Sequence, residues 1–246
     1  MALPTTAPDL AELARRIQPV TLAREQTLPV AAPLRDLLPW GGLQRGATVA
    51  VTGAGARSLL LALVGEATAT GSWVAAVGLD DLGLVAAHEL GVRLERLVVV
   101  DRPEPAAWAG VVAALVGAFD VVLVAPGRVR AADARRLSAR LRERGTVTVQ
   151  LGDDGLDADV RLDVRPAAWD GLGDGHGTLR ARRVAVRVDG RRRSARRRDV
   201  ELWLPGPDGT IATVADRPSA PISPESSASP CSPSGPTRRS HLTSVA

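Results

Sequence analysis

The residues best suited to chemistry lie in the stretch VTGAGARSLLLAL, Val51 to Leu63. A β-branched run ends in Gly53, Ala54 and Gly55, and Arg57 and Ser58 then lead into a row of leucines. Strand, glycine turn, cation, hydroxyl, helix is the order of a phosphate-binding loop. In Gly-x-x-x-x-Gly-Lys-Ser/Thr, backbone N–H groups wrap the phosphates and the lysine reaches the β- and γ-phosphates. Here the loop after Gly53 is short and an arginine stands before the serine. The chain contains no lysine at any position, so no other segment can supply the missing one. Arginine is a planar, bulkier cation and a poor replacement beside tightly wrapped backbone.

The other concentration of reactive groups is basic. Between Arg180 and Arg198 the sequence carries ten arginines against one acid, Asp189, in a chain whose overall charge is only +4. The remainder is therefore net acidic. Arg191, Arg192, Arg193, Arg196, Arg197 and Arg198 form the densest part. Such a cluster can contact phosphates and release counterions, giving salt-dependent binding. No aromatic residue is interleaved with it, so base stacking is unsupported and any DNA binding is expected to be independent of sequence. The same cluster also reads as a solvated loop without a partner. Metal chemistry finds no support. One cysteine (Cys231) and three scattered histidines (His88, His176, His241) leave no ligand spacing, so no metal and no cofactor are expected.

The elements that position these groups follow from periodicity. ATVAVTG reads as a strand entering the loop, Leu59–Ala69 as the helix after it, and SWVAAVGL as a buried strand. LGLVAAHELG is a helix closed by Gly91, RLVVVD a strand, and PAAWAGVVAALVGAF a helix. DVVLVA is a strand, AADARRLSARLRERG a helix with Ala134, Leu137 and Leu141 on one face, and TVTVQLG a further strand. Apolar strands alternating with helices predict an α/β fold with a mostly parallel sheet covered on both faces.

Beyond residue 160, LRARRVAVRV and DVELWLPG alternate Val184, Val186, Val188 and Val200, Leu202, Leu204. They predict a β-hairpin, residues 179–204, with the arginines at its tip. Trp169 and Trp203 are read as facing an interface or capping a core. Residues 1–33 form an amphipathic helix with Leu10, Leu13 and Ile17 in a stripe, capped by Asp9, and a proline-broken connector. That stripe is a candidate partner surface, or it packs on the body. Residues 34–216 form the core. The Pro/Ser-rich tail 217–246, with Cys231, Arg238 and Arg239, is expected to be disordered. Apolar runs such as Val111–Val116 are too short to span a bilayer and no signal pattern opens the chain, so a cytoplasmic protein is expected.

The segment LRDLLPWGGLQRGATVAVTG, with Gly41, Gly42, Gly46 and Gly53, resembles the lead into the phosphate loop of the RecA-type ATPase core. WVAAVGLDDLGLVAAHELGVRLERLVVVDRP resembles that core's second strand, helix, LGV turn and third strand, and GAFDVVLVAPGRV stands where its Walker B strand would be. The likeness runs from Leu34 to Leu151. Against that pattern the loop is two residues short, Ala56 replaces its last glycine and Arg57 its lysine. Only Ser58 keeps a residue type able to face Mg2+. The Walker B strand Val121–Val124 runs into Ala125-Pro126 instead of an acid. The catalytic glutamate position falls on Leu79, with Asp80 and Asp81 next to it. Phosphate cradle, metal anchor and water activation are weakened together, so no ATPase is expected.

Together with RRVAVRVDGRRRSARRRDVELWLPGPDG, the chain resembles the ImuA family, in particular its actinobacterial ImuA-prime type. That resemblance implies a non-catalytic, SOS-induced accessory factor of error-prone translesion synthesis. It would act with an ImuB-type Y-family polymerase homologue and, through it, an error-prone C-family DNA polymerase. Two alternatives remain at this point: a RecA-family ATPase working with Arg57, Ser58 and Asp80 or Asp81, and a cell-division inhibitor of the SulA kind, for which the basic hairpin has no use.

Overall fold

The computed structural model describes residues 27–125, 127, 129–172, 177–190 and 198–214. A nine-stranded sheet organises them. Its strands are β3 (Thr48–Gly53), β4 (Val74–Val77), β5 (Leu97–Val100), β6 (Val121–Val124), β7 (Val147–Leu151), β8 (Val160–Leu172), β9 (Gly177–Gly190), β10 (Arg198–Trp203) and β11 (Ala212–Thr213). They run in the order β11-β10-β9-β8-β3-β7-β6-β4-β5. From β5 to β8 every neighbour is parallel; β8 to β11 pair antiparallel. A two-stranded ribbon, β1 (Thr27–Leu28) with β2 (Leu43–Gln44), brackets a short 3-10 helix, Ala32–Leu37. The expected α/β fold with a mostly parallel sheet is present.

The helices are α1 (Ala56–Ala69), α2 (Leu84–Glu89), α3 (Trp108–Leu115) and α4 (Ala131–Arg144). α1 is apolar almost all round because it is enclosed. Leu59, Leu60, Leu61, Leu63 and Val64 pack between one sheet face (Val49, Val51, Val74, Ala76, Leu123) and Leu34, Leu37, Leu38 and Leu43 of the N-terminal ribbon segment. It approaches α2 so closely that a Cβ on Gly65 would lie 2.5 Å from the Leu90 carbonyl oxygen. α3 and α4 cover the opposite face, over Val77, Val122 and Val124. Gly145, at φ 67°, ends α4.

Three expectations change in detail. The helix after the loop begins at Ala56, so Arg57 and Ser58 belong to its first turn and not to a loop before it. β5 is the outer edge of the sheet, with Val98 and Val99 exposed, so the parallel half is not covered throughout. β8, absent from the expected elements, is the bridge between the parallel and antiparallel halves: it pairs with β3 on one side and β9 on the other. Its residues Val160, Leu162 and Val164 are buried, and Arg161, Asp163 and Arg165 alternate with them.

Candidate functional site

The loop after β3 is built by close packing. Gly53 has φ 88° and pairs with Val164 of β8; a Cβ there would sit 2.1 Å from the Val164 carbonyl oxygen. Gly55 is the N-cap of α1 at φ 115°, and its Cβ would meet the Arg182 guanidinium at 2.7 Å and Val164 Cγ1 at 3.2 Å. In a phosphate loop, glycine lets backbone approach a phosphate. Here both glycines are required by neighbouring strands of the same chain. The depression beside the loop, about 540 Å³, is lined by residues 51–57 with Leu151 and Gly152, and its one charged lining residue is Arg57.

That arginine is engaged. Arg57 Nη2 lies 2.7 Å from Asp81 Oδ2, so the residue at the lysine position is paired with an acid that sequence placed near the catalytic position. Asp80 is engaged too. Its Oδ2 accepts from Arg102 Nε at 2.9 Å and its Oδ1 from the Arg102 backbone N–H at 3.1 Å, while Arg102 Nη2 donates to the Gly78 carbonyl at 3.0 Å. Leu79 is buried in the core at 2% exposure. Val121, Val122, Leu123 and Val124 are all fully buried, and Ala125 follows them. The structure therefore gathers Gly53, Gly55, Arg57, Ser58 and Asp81 at one end of the sheet, with the glycines packed against Val164 and Arg182 and Arg57 paired with Asp81.

Arg182 of β9 fastens the antiparallel half to this loop. Its Nε donates to the Leu204 carbonyl at 3.0 Å, and its guanidinium carbon lies 5.3 Å from the centre of the Trp169 ring. Backbone bonds from Arg182 N to Pro205 O and from Leu204 N to Arg182 O fix the same corner. Burial lowers the Arg182 pKa below its ordinary value, because desolvation disfavours the charged form. Of the two tryptophans, Trp169 is exposed and stacks on Arg182, and Trp203 is buried at 6%.

The hairpin is present as β9 with β10, pairing Val186 with Val200 and Val184 with Leu202 on the buried face. Ion pairs line the sheet here: Arg187–Asp199 at 3.0 Å joins β9 to β10, and Arg161–Asp153 at 2.9 Å and Arg165–Asp163 at 3.0 Å lie along β8. Thr52 Oγ1 also donates to Asp163 at 3.3 Å. Arg187 donates to Asp199, and that hydrogen bond, with the carboxylate's charge, raises the pKa of the Arg187 guanidinium. Those strand arginines are neutralised by their neighbours. Of the six candidate DNA-contacting arginines, Arg198 opens β10 and is exposed. Arg191, Arg192, Arg193, Arg196 and Arg197 lie outside the described residues. So do the N-terminal stripe (Leu10, Leu13, Ile17), the tail 217–246 and Cys231.

Sequence reasoning did not find the two ion pairs that occupy Asp80 and Asp81, or the Arg182–Trp169 contact. The first were hidden because their partners lie 22 and 24 residues away. The second depends on β8, whose period-two alternation was its only sequence signal. Among the described residues no helix is long and apolar enough to cross a membrane.

The description of the MT3502 N-terminal domain family matches residues 36–154, which run from the 3-10 helix past β7 and contain the loop, Asp80, Asp81 and α1 to α4. The antiparallel strands β8 to β11 lie beyond that match. Over 139 residues the chain is 36% identical to the protein Rv3395c of Mycobacterium tuberculosis, an alignment covering 55% of this chain and 67% of the mycobacterial one.

Proposed function

The chain belongs to the family of the MT3502 N-terminal domain, and from that premise we propose that it is a non-catalytic accessory protein of DNA-damage-induced, error-prone synthesis. In this reading it is an ImuA-prime-type adaptor. Its core binds an ImuB-type Y-family polymerase homologue, and through it an error-prone C-family polymerase, and its arginine hairpin lies against the DNA backbone. The observation that carries the non-catalytic part is the packing of the loop. Gly53 and Gly55 are filled by Val164 and Arg182, Arg57 is held by Asp81, and a leucine is buried where the water-activating acid would stand. The resemblance to the ImuA family supplies the pathway and the partners, and the ten arginines against one acid between Arg180 and Arg198 support contact with phosphates.

The test is co-purification with an ImuB-type homologue, using the full chain and a chain ending at Asp216. Retention of the homologue by the full chain is the expected result, and its failure to bind either form would end the adaptor reading. ATP turnover above background that disappears in Ser58→Ala would favour an enzyme instead.

A further inference from the structure

The β8–β9 pair outruns the sheet that holds it. β3 pairs with β8 as far as Val164, and β10 with the turn after it pairs with β9 back to Arg182. Beyond those points the two strands have only each other: Trp169 stands opposite Arg182, Asp170 opposite Ala181 and Leu172 opposite Gly177. A two-stranded ribbon therefore projects from the end of the sheet that carries the Gly53 loop. Gly190, from which the arginine-rich segment continues, stands at the other end, opposite Val160. Nine residues of β8, about 30 Å along the strand, separate Val160 from Trp169.

The ribbon is poorly made for adding a further strand. Pro166 has no N–H, and register shifts between Pro166 and Ala168 and between Asp170 and Leu172 interrupt its ladder. Recognition falls to its faces, which are open: residues 165–169 and 177–180 are all exposed.

One face is built. The Arg182 guanidinium backs the Trp169 ring at 5.3 Å and is itself fastened to the Leu204 carbonyl, so the ring is held from one side while Trp169 stays 45% exposed. Arg180 runs alongside. Gly171, at φ 103°, lets the strands close up there, and a Cβ on it would lie 3.1 Å from Arg180 Cγ. Arg180 is exposed and forms no ion pair among the described residues, whereas Arg165 is matched by Asp163. Asp170, next along from Trp169, stands on the opposite face. An aromatic ring fixed by one cation and flanked by another offers a stacking surface with a phosphate contact beside it. An acidic peptide would use the cations and leave the ring without a flat partner. A duplex keeps its bases stacked on one another.

We propose that this ribbon is a platform for single-stranded DNA: one base stacks on the open face of Trp169, and Arg180 meets a neighbouring phosphate. The inference rests on the proposed role beside DNA and adds an unpaired strand, at a place separate from the arginine-rich segment.

The probe is a fluorescein-labelled oligothymidylate of about 20 nucleotides, longer than one such surface covers, titrated by anisotropy into the full chain. Trp169→Ala is expected to weaken binding about tenfold to a hundredfold, the loss of one stacked base, and Trp169→Phe to recover most of it. Arg180→Gln is expected to lower the slope of log K against log[salt] by about 0.7, one single-strand phosphate contact. With an abasic strand of the same length, or with duplex, Trp169→Ala is expected to change nothing, and Trp40→Ala, an exposed tryptophan outside the ribbon, is expected to leave oligothymidylate binding as it was. The proposal is overturned if the oligothymidylate does not bind, or if Trp169→Ala weakens the abasic strand or the duplex as much as the intact single strand. It is overturned equally if Trp169→Ala spares the oligothymidylate and instead abolishes co-purification of the ImuB-type homologue, which would make the ribbon a protein contact. Failure of that co-purification by the unaltered chain would count against the adaptor reading alone, because the anisotropy titration needs no partner.

Discussion

Gly53 and Arg57 look, one residue at a time, like parts of a nucleotide site, and their neighbours give them other duties. Gly53→Ala must place a methyl group 2.1 Å from a backbone oxygen at φ 88°, and neither strand can retreat without breaking the β3–β8 pairing. A loss of about 2–4 kcal/mol in unfolding free energy is expected, measured by urea titration. A phosphate-loop glycine kept only for ligand approach would cost far less in the absence of nucleotide. Arg57→Lys is expected to restore no ATP turnover and to change stability by less than about 1 kcal/mol, since the Asp81 pair is solvent-exposed. The glycines and the missing lysine were legible in the sequence. Who fills the space beside the glycines was not, because Val164 and Arg182 arrive from strands more than a hundred residues further along the chain.

Among the elements, long, continuously apolar strands and helices were legible from periodicity alone, and so was the β9–β10 pair. β8 was missed because its alternating charges resemble a solvated connector until β3 and β9 are placed on either side of it. The connection before it is held by Gln150, fully buried on β7, which donates through Nε2 to the Leu156 carbonyl at 3.0 Å and accepts the Leu156 N–H at 2.7 Å. Gln150→Ala strands both backbone groups in a dry site and is expected to cost about 2–4 kcal/mol in chemical denaturation. At the corner joining the two halves of the sheet, a double-mutant cycle of Arg182→Ala and Trp169→Ala should give a coupling of about 0.5–1 kcal/mol. That is the range for a cation over a half-exposed ring.

For the whole molecule, composition made the charge asymmetry plain, and among the described residues Arg187 is paired with Asp199 while Arg182 is held by the Leu204 carbonyl and Trp169. Replacing Arg191, Arg192, Arg193, Arg196, Arg197 and Arg198 with glutamine should weaken duplex binding equally for all sequences and flatten its salt dependence. The slope of log K against log[salt] should fall by about 0.9 for each phosphate contact removed. A salt slope unchanged by the substitutions would take the hairpin away from DNA. Partner surfaces were the least legible level, because a short amphipathic stripe such as Leu10, Leu13 and Ile17 has the same pattern whether it packs at home or abroad. The burial of Leu79 carries a consequence for history. A carboxylate introduced there would enter a site 2% exposed with no cation built to receive it, forfeiting several kcal/mol of a domain stability commonly about 5–15 kcal/mol. Any lineage carrying this core meets that loss before it gains any rate. The packing around Leu79 thus opposes a return of a carboxylate to this position.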